Sequence, residues 1–175
     1  MLEIQKINKT KAFESIKGFR TQVDYYMENN AHPDIIKIVS LGNKSFGERL
    51  QRIVMECLHL DKPTNTGHDI QQNSTGKKFE VKSSRFWVNN GDWKWQHIME
   101  DHDYDYLLLC GVNFNSVDVF IISKSDFLSL KRDGLVTQQG GAEGQGLWCN
   151  FNSIKDHLVQ ITSIEDLDNF VHRMV

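Results

Sequence analysis

Only two prolines, Pro33 and Pro63, interrupt the 175 residues, and no tract is biased strongly enough to read as a disordered tail. No apolar run approaches the roughly 20 residues that cross a bilayer, and Met1 to Lys11 lacks the apolar stretch of a secretory signal. An intracellular, cytoplasmic protein without a membrane partner is therefore expected. The three cysteines, Cys57, Cys110 and Cys149, are odd in number, far apart and set beside apolar residues. They suit reduced, buried thiols and argue against a zinc site, whose ligands come in pairs about two to four residues apart. A strong charge of one sign is missing too. The net charge of −3 argues against a generally basic coat but not against a local one.

What is present is distributed unevenly. Between Lys77 and His97 stand five cations, Lys77, Lys78, Lys82, Arg85 and Lys94, against the anions Glu80 and Asp92. The last twenty residues carry Asp156, Glu165, Asp166 and Asp168 against Arg173 alone. A polyanion would meet the middle of the chain and avoid its end. With 39% hydrophobic and 25% charged residues, a chain of this length forms one domain, expected to be α/β or α+β with a central mixed sheet flanked by helices. The expected layout is a helical segment over 1–45, a core over 46–125, and a loop, strand and helix over 126–175.

Phe13, Ile16, Phe19, Val23 and Tyr26 recur at helical spacing and predict an amphipathic helix over 8–29. Pro33 and Asp34 open a short second helix through Ile38. Leu50, Ile53, Val54, Cys57 and Leu58 predict a third, from Phe46 to Leu58. Beyond Pro63 the period changes. Gly67 to Gln72 and Lys77 to Phe86 read as strands joined by the turn Asn73-Ser74-Thr75-Gly76. Tyr104 to Val112 is a nearly continuous apolar run and predicts a strand buried on both faces, with Val117 to Ile122 as its neighbour. A short helix over Ser125 to Leu130 follows, then a loop from Gly134 to Gly146, a strand near Leu158 to Ile161, and a helix from Ile164 to Met174 capped by Ser163 with Asp166 at N3.

The chemistry concentrates in Gly67-His68-Asp69 and in Phe79-Glu80-Val81-Lys82. On a strand alternate side chains share a face, so Glu80 and Lys82 point one way while Phe79 and Val81 point into the core. Pairing through the turn brings Asp69 beside Glu80, and two carboxylates so placed repel unless a cation lies between them. Hard oxygen ligands select Mg²⁺ or Mn²⁺. Hydrolysis at a phosphorus needs a metal, an activated water and a cation near the phosphate, and Asp69, Glu80 and Lys82 supply that set. Taken alone, a Glu-x-Lys strand is most often an exposed ion pair of little energetic worth.

Over residues 46–112 these features resemble the PD-(D/E)XK nuclease superfamily, the fold of many type II restriction endonucleases and of resolvases and repair nucleases. The resemblance implies a restriction-endonuclease-like core and a Mg²⁺-dependent DNA endonuclease, with Mn²⁺ able to substitute. By it, Asp69, Glu80 and the Val81 carbonyl are metal ligands, Lys82 positions or deprotonates the water, and Glu48 matches the helix glutamate. His68 stands where the family often has proline. Members often carry a glutamine or lysine on a helix after Glu-x-Lys, and Gln96 matches that place, holding the water or a phosphate oxygen.

DNA contacts are expected from Lys77, Lys78, Arg85 and Lys94, with Trp93 packing on sugars or bases unless it is simply core. Gln138 and Gln139, in the Gly134 to Gly146 loop, can read adenine through paired hydrogen bonds, or belong to a plain mobile connector. The leading expectation is a sequence-specific enzyme acting on double-stranded DNA as a homodimer. The alternatives are a structure-specific repair or recombination nuclease and a non-catalytic DNA-binding module of the same fold.

Overall fold

The computed structural model describes residues 21–63, 67–87, 91–141 and 144–173. Three helices come first, α1 Gln22–Glu28, α2 Pro33–Val39 and α3 Asn43–Cys57. Of the helix predicted over 8–29, the part before residue 21 lies outside the described residues. Each start has a local cause. Thr21 and Asp24 form a reciprocal capping box at α1, while Pro33 sits in the first turn of α2 with the His32 ring accepting from Asp34 N–H. Helix α3 begins three residues before Phe46, and its Phe46, Leu50 and Val54 form the buried stripe.

The strands are β1 Ile70–Gln72, β2 Lys77–Trp87, β3 Asp92–Ile98, β4 Tyr106–Val112 and β5 Val117–Ser123. Helix α4 Lys124–Arg132, strands β6 Thr137–Gln138 and β7 Leu147–Asn150, the single turn α5 Phe151–Ile154, strand β8 Val159–Ile161 and helix α6 Ile164–Arg173 complete the order. The sheet runs β6-β7-β3-β2-β4-β5-β8, with β1 also pairing β2. It is mixed, since β2 and β4 are parallel and the other pairings are antiparallel. The α/β expectation with a central mixed sheet holds at that level.

Both faces of the sheet are covered. On one, Phe79, Val81, Tyr106, Leu108, Cys110 and Val112 pack with Leu50 and Val54 of α3 and Leu167 of α6. On the other, Leu107 and Leu109 pack with Trp93, Trp95, Phe120 and Phe127. Every residue of β4 is buried, which is why its apolar run shows no alternation. Tyr26 ties α1 to the sheet. Its hydroxyl donates to the Val112 carbonyl at 2.6 Å and accepts the Phe86 N–H at 2.9 Å, and burial pushes its pKa up to about 12.

One expectation needs correction. The family pattern places a helix after Glu80-Val81-Lys82, but Asp92–Ile98 is strand β3, paired with β2 through Phe86↔Trp93 and Trp87↔Asp92. The cause is a period of two, with Trp93 and Trp95 buried while Lys94 and Gln96 alternate outward. Indole donors of both tryptophans reach strand β4, Trp93 to Val112 O at 3.1 Å and Trp95 to Cys110 O at 2.9 Å. Gly111 makes room for this, because a Cβ there would lie 2.4 Å from the Trp93 ring.

Candidate active site

Strand β2 has a continuous parallel partner on one side, from Phe79↔Tyr106 to Arg85↔Val112. Its other side is divided. There β1 pairs as far as Phe79 and β3 begins at Phe86, so among the described residues Glu80 to Arg85 meet no ladder partner on that edge. A cleft of about 590 Å³ opens along it, lined by Asp69, Lys82 and Ser83 and closed on one flank by Gly47 and Gln51 of α3.

At the cleft floor the β1–β2 register, Ile70↔Phe79, carries Asp69 opposite Glu80. The Asp69 N–H donates to the Phe79 carbonyl at 3.0 Å, and its carboxylate Oδ2 accepts the Val81 N–H at 2.8 Å. Gln51 Nε2 donates to the Asp69 carbonyl at 2.9 Å, pinning the segment to α3. The parallel register sets Glu80 opposite Leu107 and Lys82 opposite Leu109, so the Glu80 side chain sinks to 4% exposure while Lys82 Nζ meets its Oε1 at 2.7 Å. This is not the exposed pair that most Glu-x-Lys strands hold. His102 Nδ1 stands 3.5 Å from the same oxygen, and its loop is tethered by Lys124 Nζ, which donates to His102 O at 2.6 Å.

Burial, and then the charge of Glu80, raise the Asp69 carboxyl above the ordinary value, against the opposing pull of the Val81 N–H, Lys82 and His102. Burial followed by the Glu80 and Glu100 charges raises Tyr104 as well. The strand thus concentrates negative charge in a place with little water. The donors available to a cation are two carboxylates, at Asp69 and Glu80, with the neighbouring Val81 carbonyl. Among the described residues no group of three or more His, Cys, Asp or Glu side chains is gathered as a metal cage. Two hard carboxylates set side by side fit a hard dication better than they fit zinc.

The structure distributes the remaining sequence-selected residues unevenly. Gln96 and Lys94 line the cleft, with Lys94 Nζ 4.0 Å over the Trp148 ring. Arg85 also borders it, but its guanidinium is directed into the protein, donating to Val39 O at 2.9 Å, to Asn43 Oδ1 at 3.1 Å and to Leu41 O, above the Phe46 ring. That corrects Arg85 from a DNA contact to a clamp between β2 and the α2–α3 turn. Trp93 is 8% exposed and belongs to the core, so it offers no face to a base. Lys77 and Lys78 lie outside the cleft wall, and Lys78 Nζ pairs with Asp103 at 2.5 Å.

Glu48 is likewise outside the cleft wall. It is well exposed, 3.9 Å from Lys44, and borders a neighbouring depression with Arg52 and Glu56. Helix α3 lines the cleft with Asn43, Lys44, Phe46, Gly47 and Gln51, of which Gln51 bonds to Asp69; its i, i+4 spacing from Gly47 is the signal that the sequence held for Gln51. Gln138 and Gln139 are engaged by the protein itself, Gln138 Nε2 donating to Gly146 O at 3.0 Å and Gln139 Oε1 accepting the His97 N–H at 3.0 Å. Their amides are not held out toward a base edge. Of the charged residues that line the cleft, Lys44, Lys82, Arg85 and Lys94 are cations and Asp69 is the carboxylate.

No protein-family model matches the chain. A stretch of 91 residues is 34% identical to Rho-GTPase-activating protein 8 of Schizosaccharomyces pombe, covering 52% of this chain and 11% of that protein. The chain therefore spans only a small part of that relative, and the match assigns it to no family. No helix among the described residues is long and apolar enough to cross a membrane.

Proposed function

We propose that this chain is a Mg²⁺-dependent DNA endonuclease with a restriction-endonuclease-like core. The observation that carries the reading is the placement of Asp69, Glu80 and Lys82 together at the stretch of the β2 edge left unpaired between β1 and β3, beside a cleft rich in cations. An extended phosphodiester needs an open edge of that kind, and hydrolysis needs this donor set.

In this reading Asp69, Glu80 and the Val81 carbonyl hold the Mg²⁺, and Mn²⁺ serves in its place. When bound, the cation supplies charge neutralisation at the phosphorus and acidifies water. Lys82 keeps a proton at Nζ, shared with Glu80, and donates to the attacking water or to a phosphate oxygen. Gln51 positions Asp69 through its carbonyl, and Gln96 holds a phosphate oxygen or the water. Lys44 and Lys94 neutralise the strand backbone. Cleavage of both strands of a duplex calls for two such sites in a homodimer, which sedimentation with and without DNA would test.

A second reading, a non-catalytic domain of the same fold, draws support from the match to a short part of a protein named for another activity. One experiment separates the two. Supercoiled plasmid is incubated in Mg²⁺ with wild type and with Glu80→Gln: nicked or linear product from wild type alone supports the nuclease, and intact plasmid in both supports the second reading. Discrete bands identify a sequence-specific enzyme, and cutting confined to branched or flapped substrates identifies a repair or recombination nuclease.

A further inference from the structure

The nuclease reading leaves His97, part of the cleft wall, without a role, yet its surroundings determine where its ring hydrogen lies. His97 sits where the β3–β7 register shifts between Trp95 and Ile98. Its φ of +57° falls in the left-handed region, which costs a residue with a β-carbon on the order of 1 kcal/mol. Gln139 holds this backbone in place: its Oε1 accepts the His97 N–H at 3.0 Å, and its Nε2 stands 3.2 Å from the ring Nε2.

A backbone N–H can only donate, so the amide atom that meets it must be the oxygen. The other amide atom is then the NH₂, which can only donate, and the ring nitrogen facing it must accept. A neutral imidazole whose Nε2 accepts carries its hydrogen on Nδ1. Among the described residues Nδ1 has no hydrogen-bond partner, while the surrounding wall contributes Lys82, Lys94 and Gln96, groups suited to an anion.

We infer that Gln139 locks His97 in the Nδ1–H tautomer and that this N–H donates to a non-bridging oxygen of a phosphodiester lying in the cleft. The choice of a phosphodiester rests on the nuclease reading. The lock also gives the glutamine loop a task. Gln138 fastens the loop to Gly146 O, and Gly146 lies so close over the shifted register that a Cβ there would stand 2.9 Å from Ile98 O. The loop thus presses Gln139 onto His97 and positions a phosphate contact, with no base read.

The test is long-range ¹H–¹⁵N correlation of histidine rings in the full chain at mildly alkaline pH, where imidazoles are neutral. The His97 signals, assigned by their loss in His97→Gln, should show the Nδ1–H pattern. Gln139→Glu supplies a carboxylate that accepts from both the backbone N–H and the ring, and should move the hydrogen to Nε2. Adding duplex DNA in Ca²⁺ should perturb the Nδ1–H. His97→Ala should weaken duplex binding roughly 2- to 12-fold, the range of one hydrogen bond, without changing the salt slope, since the group is neutral. An Nε2–H pattern in wild type overturns the inference. So does a His97 ring that ignores bound duplex, or one that responds to inorganic phosphate alone. Duplex that perturbs His97 but is never cut sinks the nuclease reading and leaves this one standing.

Discussion

The Oδ2 of Asp69 accepts the backbone N–H of Val81 at 2.8 Å, so one carboxylate oxygen closes a gap in the sheet while the group as a whole lies beside Glu80. A side chain with two such obligations has consequences for stability and, on the proposed function, for turnover.

Asp69→Asn should stabilise the protein at neutral pH while abolishing cleavage. The Asp69 carboxyl is raised by burial and by Glu80, so its contribution to stability is fully present below the unfolded-state pKa and is lost as pH rises through the folded value. The asparagine carbonyl still accepts from Val81 and carries no charge. Thermal melts at pH near 7 should show a gain of roughly 2–4 °C for each kcal/mol recovered. The gain should shrink as pH falls toward about 3.9 and vanish well below it, where the wild-type carboxyl is protonated in both the folded and the unfolded state. A gain that persists in strong acid would mean that packing, not charge, is the cause.

Lys82→Met should damage the fold as well as the chemistry. It removes the nearest cation from a carboxylate only 4% exposed, and breaking such a pair from one side costs roughly 3–5 kcal/mol. Adding Glu80→Gln should restore most of that stability in denaturant titrations and none of the cleavage. If the single and double variants unfold alike, the pair carries no coupling.

Helix α3 offers a discriminating comparison. Glu48 is not part of the cleft wall, while Gln51 holds the Asp69 carbonyl. Glu48→Ala should therefore cut within about twofold of wild type, and Gln51→Ala should lose about tenfold in single-turnover rate, equivalent to roughly 1.4 kcal/mol. The reverse ranking would return the helix glutamate to the site.

Gly111→Ala tests the tryptophan core. The new methyl would overlap the Trp93 ring, and overpacking of this kind costs about 1–3 kcal/mol. A loss of Tm with the Trp93 fluorescence shifted to the red is expected. An unchanged melt would mean that the ring gives way freely.

Where the sequence was legible, one strong period decided the matter. The stripe of α3, the apolar run of β4 and the Ser163–Asp166 cap of α6, where Asp166 N–H donates to Ser163 Oγ at 3.2 Å, could each be read within a single segment. The juxtaposition of Asp69, Glu80 and Lys82 was legible too, because a hairpin register follows from its turn. What escaped needed knowledge of two distant segments at once. Arg85 reads as a surface cation until its carbonyl partners from Val39 and Leu41 are in place. The indole donors of Trp93 and Trp95 declare a core only when β4 lies beside them. Glu48 and Gln51 sit on neighbouring faces of one helix, and only the position of Asp69 tells which of them the cleft meets.

The divided edge of β2 poses a hazard to the folding chain. A strand interior left without a neighbour is a template that any partly folded copy can join, and most sheets avoid such an invitation. Here side chains take two of the hydrogen-bonding groups along the gap. The Asp69 carboxylate takes the Val81 N–H, and the Ser84 hydroxyl accepts the Lys94 N–H at 2.9 Å and donates to the Arg85 carbonyl at 2.7 Å. The gap is thereby made a poorer template for a peptide strand. A chain stripped of Asp69 and Ser84 together would be expected to self-associate through β2 during refolding, whatever it does to DNA.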